Sequence, residues 1–129
     1  MCLKRISNFL RFKMNMKLSD IISLLECEIL ANGNFDEVEI TKTLASDMMS
    51  DVLAFAQPGA LLVTGLVNSQ SVRTADIADA AGIIYIRGKK PDEQTLNLAN
   101  EMGIPVFATT RGMFEVCAML HSIGLKGIC

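Results

Sequence analysis

The chain has 129 residues, half of them hydrophobic, with a formal net charge of -2 and a pI of about 5.3. This length suits one domain with a real core rather than two. The slight acidity excludes the basic footprint by which proteins bind nucleic acid or anionic membranes. No apolar run approaches the roughly 18 residues that span a bilayer, so we expect a soluble protein without a membrane span.

The N-terminal segment, residues 1–15, is basic and contains no acidic residue. Its charged and apolar side chains are interleaved, whereas a secretory signal places its charges before a continuous apolar core. Two interpretations stay open: a short amphipathic helix on a membrane surface, and an extension that is disordered or dispensable. The run Met16-Lys17-Leu18-Ser19-Asp20 looks like a natural beginning and favours the second. We therefore predict an extension over 1–15 and one domain over 16–129, which folds without the extension.

The sequence pattern of the first part of the domain predicts short helices and strands. In chain order these are a helix over 18–25, a strand over 27–31, a strand over 38–40 and a helix over 48–55. Ser19 or Asp20 is placed to cap the first helix, and Ser46-Asp47 to cap the second. The turn signal Asn32-Gly33-Asn34 closes the first strand, and Gln57-Pro58-Gly59 ends the second helix.

From residue 60 the pattern becomes regular. Apolar strands over 60–64, 83–86 and 105–108 alternate with helices over 71–81, 91–102 and 112–121. Strands that are apolar throughout are covered on both faces, and their alternation with helices indicates parallel β-α-β crossovers. Pro91 at an N1-like position and Gly103 just past the end support the middle helix. The predicted fold is α/β, a single three-layer α/β/α sandwich with a mostly parallel sheet.

In such sheets ligands bind beyond the carboxyl ends of the strands, where strand order switches and helix N-termini point. We call the loops that follow these ends the rim, and the predicted strands place residues 64–70, 87–90 and 109–112 there. The candidate ligand-binding residues are Thr64, Gly65, Asn68, Ser69, Arg87, Gly88, Lys89, Thr109, Thr110 and Arg111. They supply hydroxyls, an amide, backbone N–H groups and cations, which suit a small anion such as phosphate.

The rim residues also have a purely structural interpretation. Gly65 and Gly88 then only allow tight turns from strand to helix, and the Thr, Ser and Asn side chains cap helices. The two arginines would in that case pair with acidic residues on the neighbouring helices, such as Asp92 or Glu115. The sequence has neither GxxxxGK[ST] nor GxGxxG, so no nucleotide-binding motif decides between the two interpretations.

Catalytic and metal-binding patterns are weak. A serine nucleophile at Ser69 or Ser71 would need His121, the one histidine of the chain, near the end of the last predicted helix. No acidic residue follows the predicted central strands, as a phospho-receiver would require. The cysteines lack metal-ligand spacing and are predicted to be reduced thiols of a cytoplasmic protein: Cys2, Cys27, Cys117 and Cys129. We therefore predict no catalytic residue, no metal and no cofactor.

Residues 61–120 resemble the DRTGG domain, a small α/β module. The matching features are LLVTG, Ala-Ala-Gly before IIYIRG, the helix after Pro91 and the segment NEMGIPVFATTRGMFEVCAML. The last of these, Gly-Ile-Pro-Val leading through a short loop to an F-E-x-A-like helix, is the most specific. The resemblance extends from Met16 to about Leu125, and the family is similar to the N-terminal domain of the bacterial kinase/phosphorylase that acts on HPr.

The chain departs from the family pattern at the rim. Where family members carry Asp-Arg after the first Thr-Gly, this chain has Leu66-Val67. Where many carry Thr-Gly-Gly, it has Arg87-Gly88-Lys89. Gly65 and Gly88 carry over, so an anion-binding role of this chain rests on residues other than the family's charged pair.

The resemblance implies a regulatory or dimer-forming module, as in members fused to CBS pairs in pyrophosphatases and to phosphotransacetylases. Stand-alone members occur in anaerobic bacteria beside ATPase-type kinases and redox proteins. The first hypothesis is a non-catalytic regulatory or sensory module. It forms a homodimer through its methionine- and leucine-rich helices, and it binds a kinase or redox-enzyme partner and a phosphorylated metabolite or nucleotide. The second is a small enzyme that acts on such a substrate at the rim.

Overall fold

A six-stranded sheet forms the centre of the computed structural model, which describes residues 16–128. The prediction for residues 1–15 lies outside the described residues. The strands are β1 Met16–Lys17, β2 Glu28–Ala31, β3 Glu39–Ile40, β4 Lys42–Ala45, β5 Leu61–Thr64, β6 Gly82–Tyr85, β7 Val106–Ala108 and β8 Lys126–Gly127. The helices are α1 Leu18–Leu24, α2 Met49–Phe55, α3 Ser69–Ile77, α4 Glu93–Met102 and α5 Met113–Ser122. Within 16–128 no helix is long and apolar enough to cross a membrane.

The strand order of the sheet is β2-β7-β6-β5-β4-β8. Strands β4 to β7 are parallel and follow one another in the chain, β8 lies parallel beside β4, and β2 lies antiparallel beside β7. Strands β1 and β3 form a separate antiparallel pair. The carboxyl ends of β4 to β7 therefore lie along one edge. The order runs in one direction from β4 to β7 and reverses only for β8, which lies beside β4, so no switch point lies between the strands that lead into the three predicted rim loops.

Helices cover both faces of the sheet, which confirms the three-layer α/β sandwich with a mostly parallel sheet. Right-handed crossovers between consecutive parallel strands place α2, α3 and α4 on one face. On that face Leu62 and Tyr85 pack in a core with Val52 of α2. On the other face Val63 and Phe107 pack with α1 and α5. Alternating strand residues thus fill two separate apolar cores.

Two strands of the sheet were not predicted. Strand β4 contains one large apolar residue, Leu44, between polar and small neighbours, and β8 is only two residues long and includes Gly127. Both become strands because a neighbour supplies the hydrogen bonds: β4 pairs with β5, and β8 pairs with β4. This pairing adds a fourth loop, residues 46–48, to the rim.

Several helix ends differ from their predicted positions. Helix α3 begins earlier because the Asn68 side chain accepts the Ser71 N–H, and it ends at Ile77, two residues before Asp79 adopts a left-handed φ of 54°. Pro91 lies outside α4, whose cap is Asp92. None of the predicted caps of α1 and α2 occupies the N-cap position, which in the structure belongs to Lys17 and Met48, neither of which forms a side-chain cap hydrogen bond.

Candidate functional site

The rim is formed by the four loops that follow β4, β5, β6 and β7. The three loops predicted from the sequence all lie there, because their strands are parallel neighbours. The fourth loop contributes Asp47, which the sequence analysis assigned to a helix cap. The sequence did not indicate that Asp47 lies at the rim, because this position depends on β4. The residues of β4 show too little apolar alternation to predict a strand.

Asp47 joins the loops after β4, β5 and β6. Its Oδ1 accepts the backbone N–H of Gly65 at 2.6 Å and the hydroxyl of Thr64 at 3.2 Å. Its Oδ2 lies 3.9 Å from Nη2 of Arg87. The carboxylate thus forms a short hydrogen bond with one backbone N–H, a longer one with a hydroxyl and a loose ion pair with the guanidinium.

Gly65 leaves space for two neighbouring side chains rather than meeting a demand of backbone conformation. Its φ is not in the left-handed region. A Cβ at this position would lie 2.8 Å from Nη2 of Arg87 and 3.3 Å from each carboxylate oxygen of Asp47. Glycine in the Thr-Gly pair therefore lets the carboxylate and the guanidinium approach the end of β5.

The turn after β6 uses its backbone donors within the protein. Arg87 and Gly88 have left-handed φ values of 59° and 70°. The N–H of Arg87 donates to the carbonyl of Arg111, and that of Gly88 donates to the carbonyl of Thr109, both at 2.8 Å. These bonds fix the loops after β6 and β7 to each other, so this turn offers a ligand its side chains rather than these two N–H groups.

Arg111 is held by two carboxylates. Its Nη2 lies 2.7 Å from Oε1 of Glu26, and its Nη1 contacts Glu115 one helical turn further along the chain. The pair with Glu115 is the one that the structural interpretation expected. Asp92, the other acidic residue expected there, caps α4 instead, and hydrogen bonds from the Thr95 side chain and backbone lower its pKa.

The two predicted threonines at strand ends are buried and bonded internally. The Thr64 hydroxyl donates to Asp47 and accepts the N–H of Leu66 at 3.1 Å. The Thr109 hydroxyl donates to the carbonyl of Leu25 at 3.0 Å and accepts the Arg111 N–H at 3.3 Å. Both side chains therefore stabilise the loops in the structure as it stands.

The remaining candidates differ in how accessible they are. Asn68 caps α3. Within residues 16–128, no hydrogen bond or ion pair engages the side chains of Ser69, Lys89 or Thr110, and Lys89 and Thr110 are exposed. Arg87 is half exposed, at 51% of its side-chain area. The cations most available to a ligand are thus Arg87 and Lys89.

A buried hydroxyl pair lies just beneath the rim. The Ser71 hydroxyl donates to the carbonyl of Asn68 at 2.7 Å, so the Tyr85 hydroxyl donates to Ser71 at 2.7 Å. Burial raises the pKa of Tyr85, and the hydrogen bond with Ser71 opposes the rise. This pair fastens β6 to α3, and the Ser71 hydroxyl is fully buried and bonded to both Asn68 and Tyr85. His121 lies near the end of α5, which begins at the rim and runs away from it.

Space for a ligand lies between the starts of α2 and α3. A cavity of about 470 Å³ is lined by Asp47, Met48, Met49, Ser50, Leu66 and Gln70. Within the described part of the chain, no three His, Cys, Asp or Glu side chains are placed to hold a metal ion. Asp47 connects this cavity to Arg87, whose Nη2 lies 3.9 Å from the Asp47 Oδ2.

Comparison with known proteins identifies the family and the fold of the chain. The family model described as the DRTGG domain matches residues 20–123. A search of curated proteins gives no match. Among solved structures, the chain is similar to the CBS and DRTGG domains of the regulatory region of Clostridium perfringens pyrophosphatase, complexed with the activator diadenosine tetraphosphate.

The likeness to the pyrophosphatase region is one of fold. The TM-score is 0.69 at 17% sequence identity, over 91% of this chain and 50% of the other. The chain thus spans about half the length of that solved region. Since the family model covers more than half of the sequence, the chain belongs to the DRTGG domain family.

Proposed function

We propose that the chain is a non-catalytic regulatory module of the cytoplasm that binds a phosphorylated small molecule or nucleotide at the rim. The observation that carries this proposal is Arg87, a half-exposed guanidinium that lies 3.9 Å from the carboxylate of Asp47, which lines the cavity. A guanidinium can bind two phosphate oxygens at once. The similar pyrophosphatase region is regulatory and was solved with a nucleotide activator, which supports the same class of ligand.

The ten candidate residues have unequal roles in this proposal. Arg87 and Lys89 supply the charge, while Ser69 and Thr110 supply hydroxyls. Gly65 and Gly88 allow the approach of the loops, and the others hold the loops in place: Thr64, Asn68, Thr109 and Arg111. An enzyme at the rim has less support, because Ser69 begins α3 at the rim whereas His121 is at the far end of α5.

The two arginines are expected to respond differently to substitution: Arg87 in ligand affinity, and Arg111 in stability. A thermal-shift screen of nucleotides, acetyl phosphate and inorganic anions first selects a ligand, since a ligand of the folded state raises the unfolding temperature. Arg87→Ala is then expected to lower the affinity for that ligand by about 10-fold or more, because it removes a charge-assisted contact. The protein is expected to stay folded. Arg111→Ala is expected to lower the midpoint of thermal unfolding by about 3 °C, because it breaks two ion pairs. Unchanged affinity in Arg87→Ala would contradict the proposed site.

We further propose that the module forms a homodimer through α2 and α3. These neighbouring helices expose Leu53, Phe55 and Ile77, the last at 72%. Large exposed apolar side chains on one helical layer are typical of interaction surfaces. A dimer would present the rim twice to a partner protein, for which a kinase or a redox enzyme is the candidate from the family resemblance.

The dimer is tested by sedimentation at tens of micromolar protein. Ile77→Lys is expected to shift the protein from dimer to monomer, because it places a charge in the apolar contact. Phe114→Lys is the matched control, since Phe114 is 88% exposed but lies on α5, in the opposite layer. A wild-type protein that sediments only as a monomer would refute the dimer, and a monomer produced by the control alone would move the interface to α5.

A further inference from the structure

The Asp47 carboxylate engages donors that a phosphate would use at the rim. A backbone N–H from Gly65, a hydroxyl from Thr64 and the Arg87 guanidinium converge on it. Backbone N–H groups and guanidinium groups also bind phosphate oxygens in proteins. A phosphate that enters the rim therefore meets a site already filled by a group of the same charge.

The carboxylate is placed so that it can leave this site. Its side chain is 54% exposed, and it stands on the short loop of residues 46–48 rather than within β4 or α2. The 470 Å³ cavity lies directly beside it and includes Met48 and Gln70 in its lining. Displacing the carboxylate breaks two hydrogen bonds and one loose ion pair.

We propose that Asp47 is an internal competitor for the anion that the rim binds. This inference rests on the proposed function and adds its regulation. The phosphate of the ligand takes over the Gly65 N–H, the Thr64 hydroxyl and Arg87, and the Asp47 carboxylate moves out. Because Asp47 is two residues before the start of α2, its release alters the loop that leads into this helix. Binding at the rim is thereby coupled to the helical layer that exposes Leu53 and Phe55.

The test uses inorganic pyrophosphate as the probe, with affinity measured by calorimetry at low ionic strength. Asp47→Asn is expected to bind pyrophosphate about 10-fold more tightly than the wild-type protein, because the like charge is gone. The asparagine keeps an oxygen that accepts the Gly65 N–H, so the loop is expected to stay folded. The amide resonances of Gly65 and Met48 are expected to shift together on titration.

Asp51→Asn is the matched control. It makes the same change of charge on an exposed residue in the first turn of α2, away from the Gly65 contact. Its pyrophosphate affinity is expected to stay within 2-fold of wild type. Equal affinities in both variants would overturn the competitor role, and the proposed function would stand if Arg87→Ala still weakened binding. Absence of binding in every form would overturn both.

Discussion

Replacing Asn32 with aspartate is expected to lower the free energy of unfolding by about 3 kcal/mol at pH 7. The Asn32 side chain donates to the carbonyls of Ala99 and Ile104, at 2.9 and 2.8 Å. Its backbone N–H donates to the Asn100 side chain at 3.3 Å. An aspartate of the same shape would point a negative charge at two carbonyl oxygens at the end of α4.

The loss is expected to shrink at acidic pH, where the protonated carboxyl can donate to one of those carbonyls. Asn34→Asp is the control, because Asn34 is exposed in the same loop. Its effect is expected to stay within about 0.5 kcal/mol. Urea unfolding at pH 7 and pH 4 measures both variants, and equal losses in the two would show that the Asn32 bonds do not matter. Backbone strain is not the cause, since aspartate tolerates the left-handed φ of 52° as asparagine does.

The second large effect is expected at alkaline pH and comes from Cys27. Burial raises the pKa of its thiol from 9.0 to about 12, with Arg111 acting in the opposite direction. Above pH 9 the unfolded chain loses this proton while the folded protein keeps it. Stability from this group is therefore constant below pH 9 and falls by about 1.4 kcal/mol per pH unit between pH 9 and 12.

In Cys27→Ala the free energy of unfolding is expected to fall less steeply with pH above pH 9. The difference from wild type corresponds to the release of about one proton on unfolding. Urea unfolding at pH 8, 10 and 11 compares the variant with the wild-type protein. Cys117→Ala is the comparison variant: burial also raises the pKa of Cys117, so this variant is expected to reduce the alkaline slope as well, but less than Cys27→Ala does. An alkaline slope that is the same in Cys27→Ala and wild type would contradict the assignment.

The central layers were predictable because their pattern is local. Strands such as Leu61–Thr64 are apolar throughout, and the Gly103 that ends α4 has the left-handed φ expected of a helix stop. The edges of the sheet were not predictable. Strand Lys42–Ala45 owes its existence to pairing with β5, and β8 owes its existence to β4. Their own residues carry too little apolar pattern to indicate a strand.

The three predicted loops do lie along one edge of the sheet, but the contacts among their side chains could not be predicted. The sequence indicated Arg87 and Arg111 equally, whereas their acidic neighbours separate them: Arg111 is held by two carboxylates and Arg87 loosely by one. Asp47 was missed because its partners, Thr64 and Gly65, come from another loop. Asn32 was predicted as a turn residue, which it is, but its bonds to the end of α4 are long-range contacts that a local motif does not contain.

The order of the strands has a consequence for how the chain folds. Strands β4 to β7 pair with their nearest neighbours in the chain, so the centre of the sheet has a low contact order and closes short loops. The edges are different, since Glu28 pairs with Ala108 and Lys42 with Lys126, which brings distant parts of the chain together. Pairing β2 and β8 with the sheet therefore carries the larger entropy cost of loop closure. Docking them onto a central sheet that has already formed would reduce that cost, so we expect the sheet to assemble from its middle strands outward.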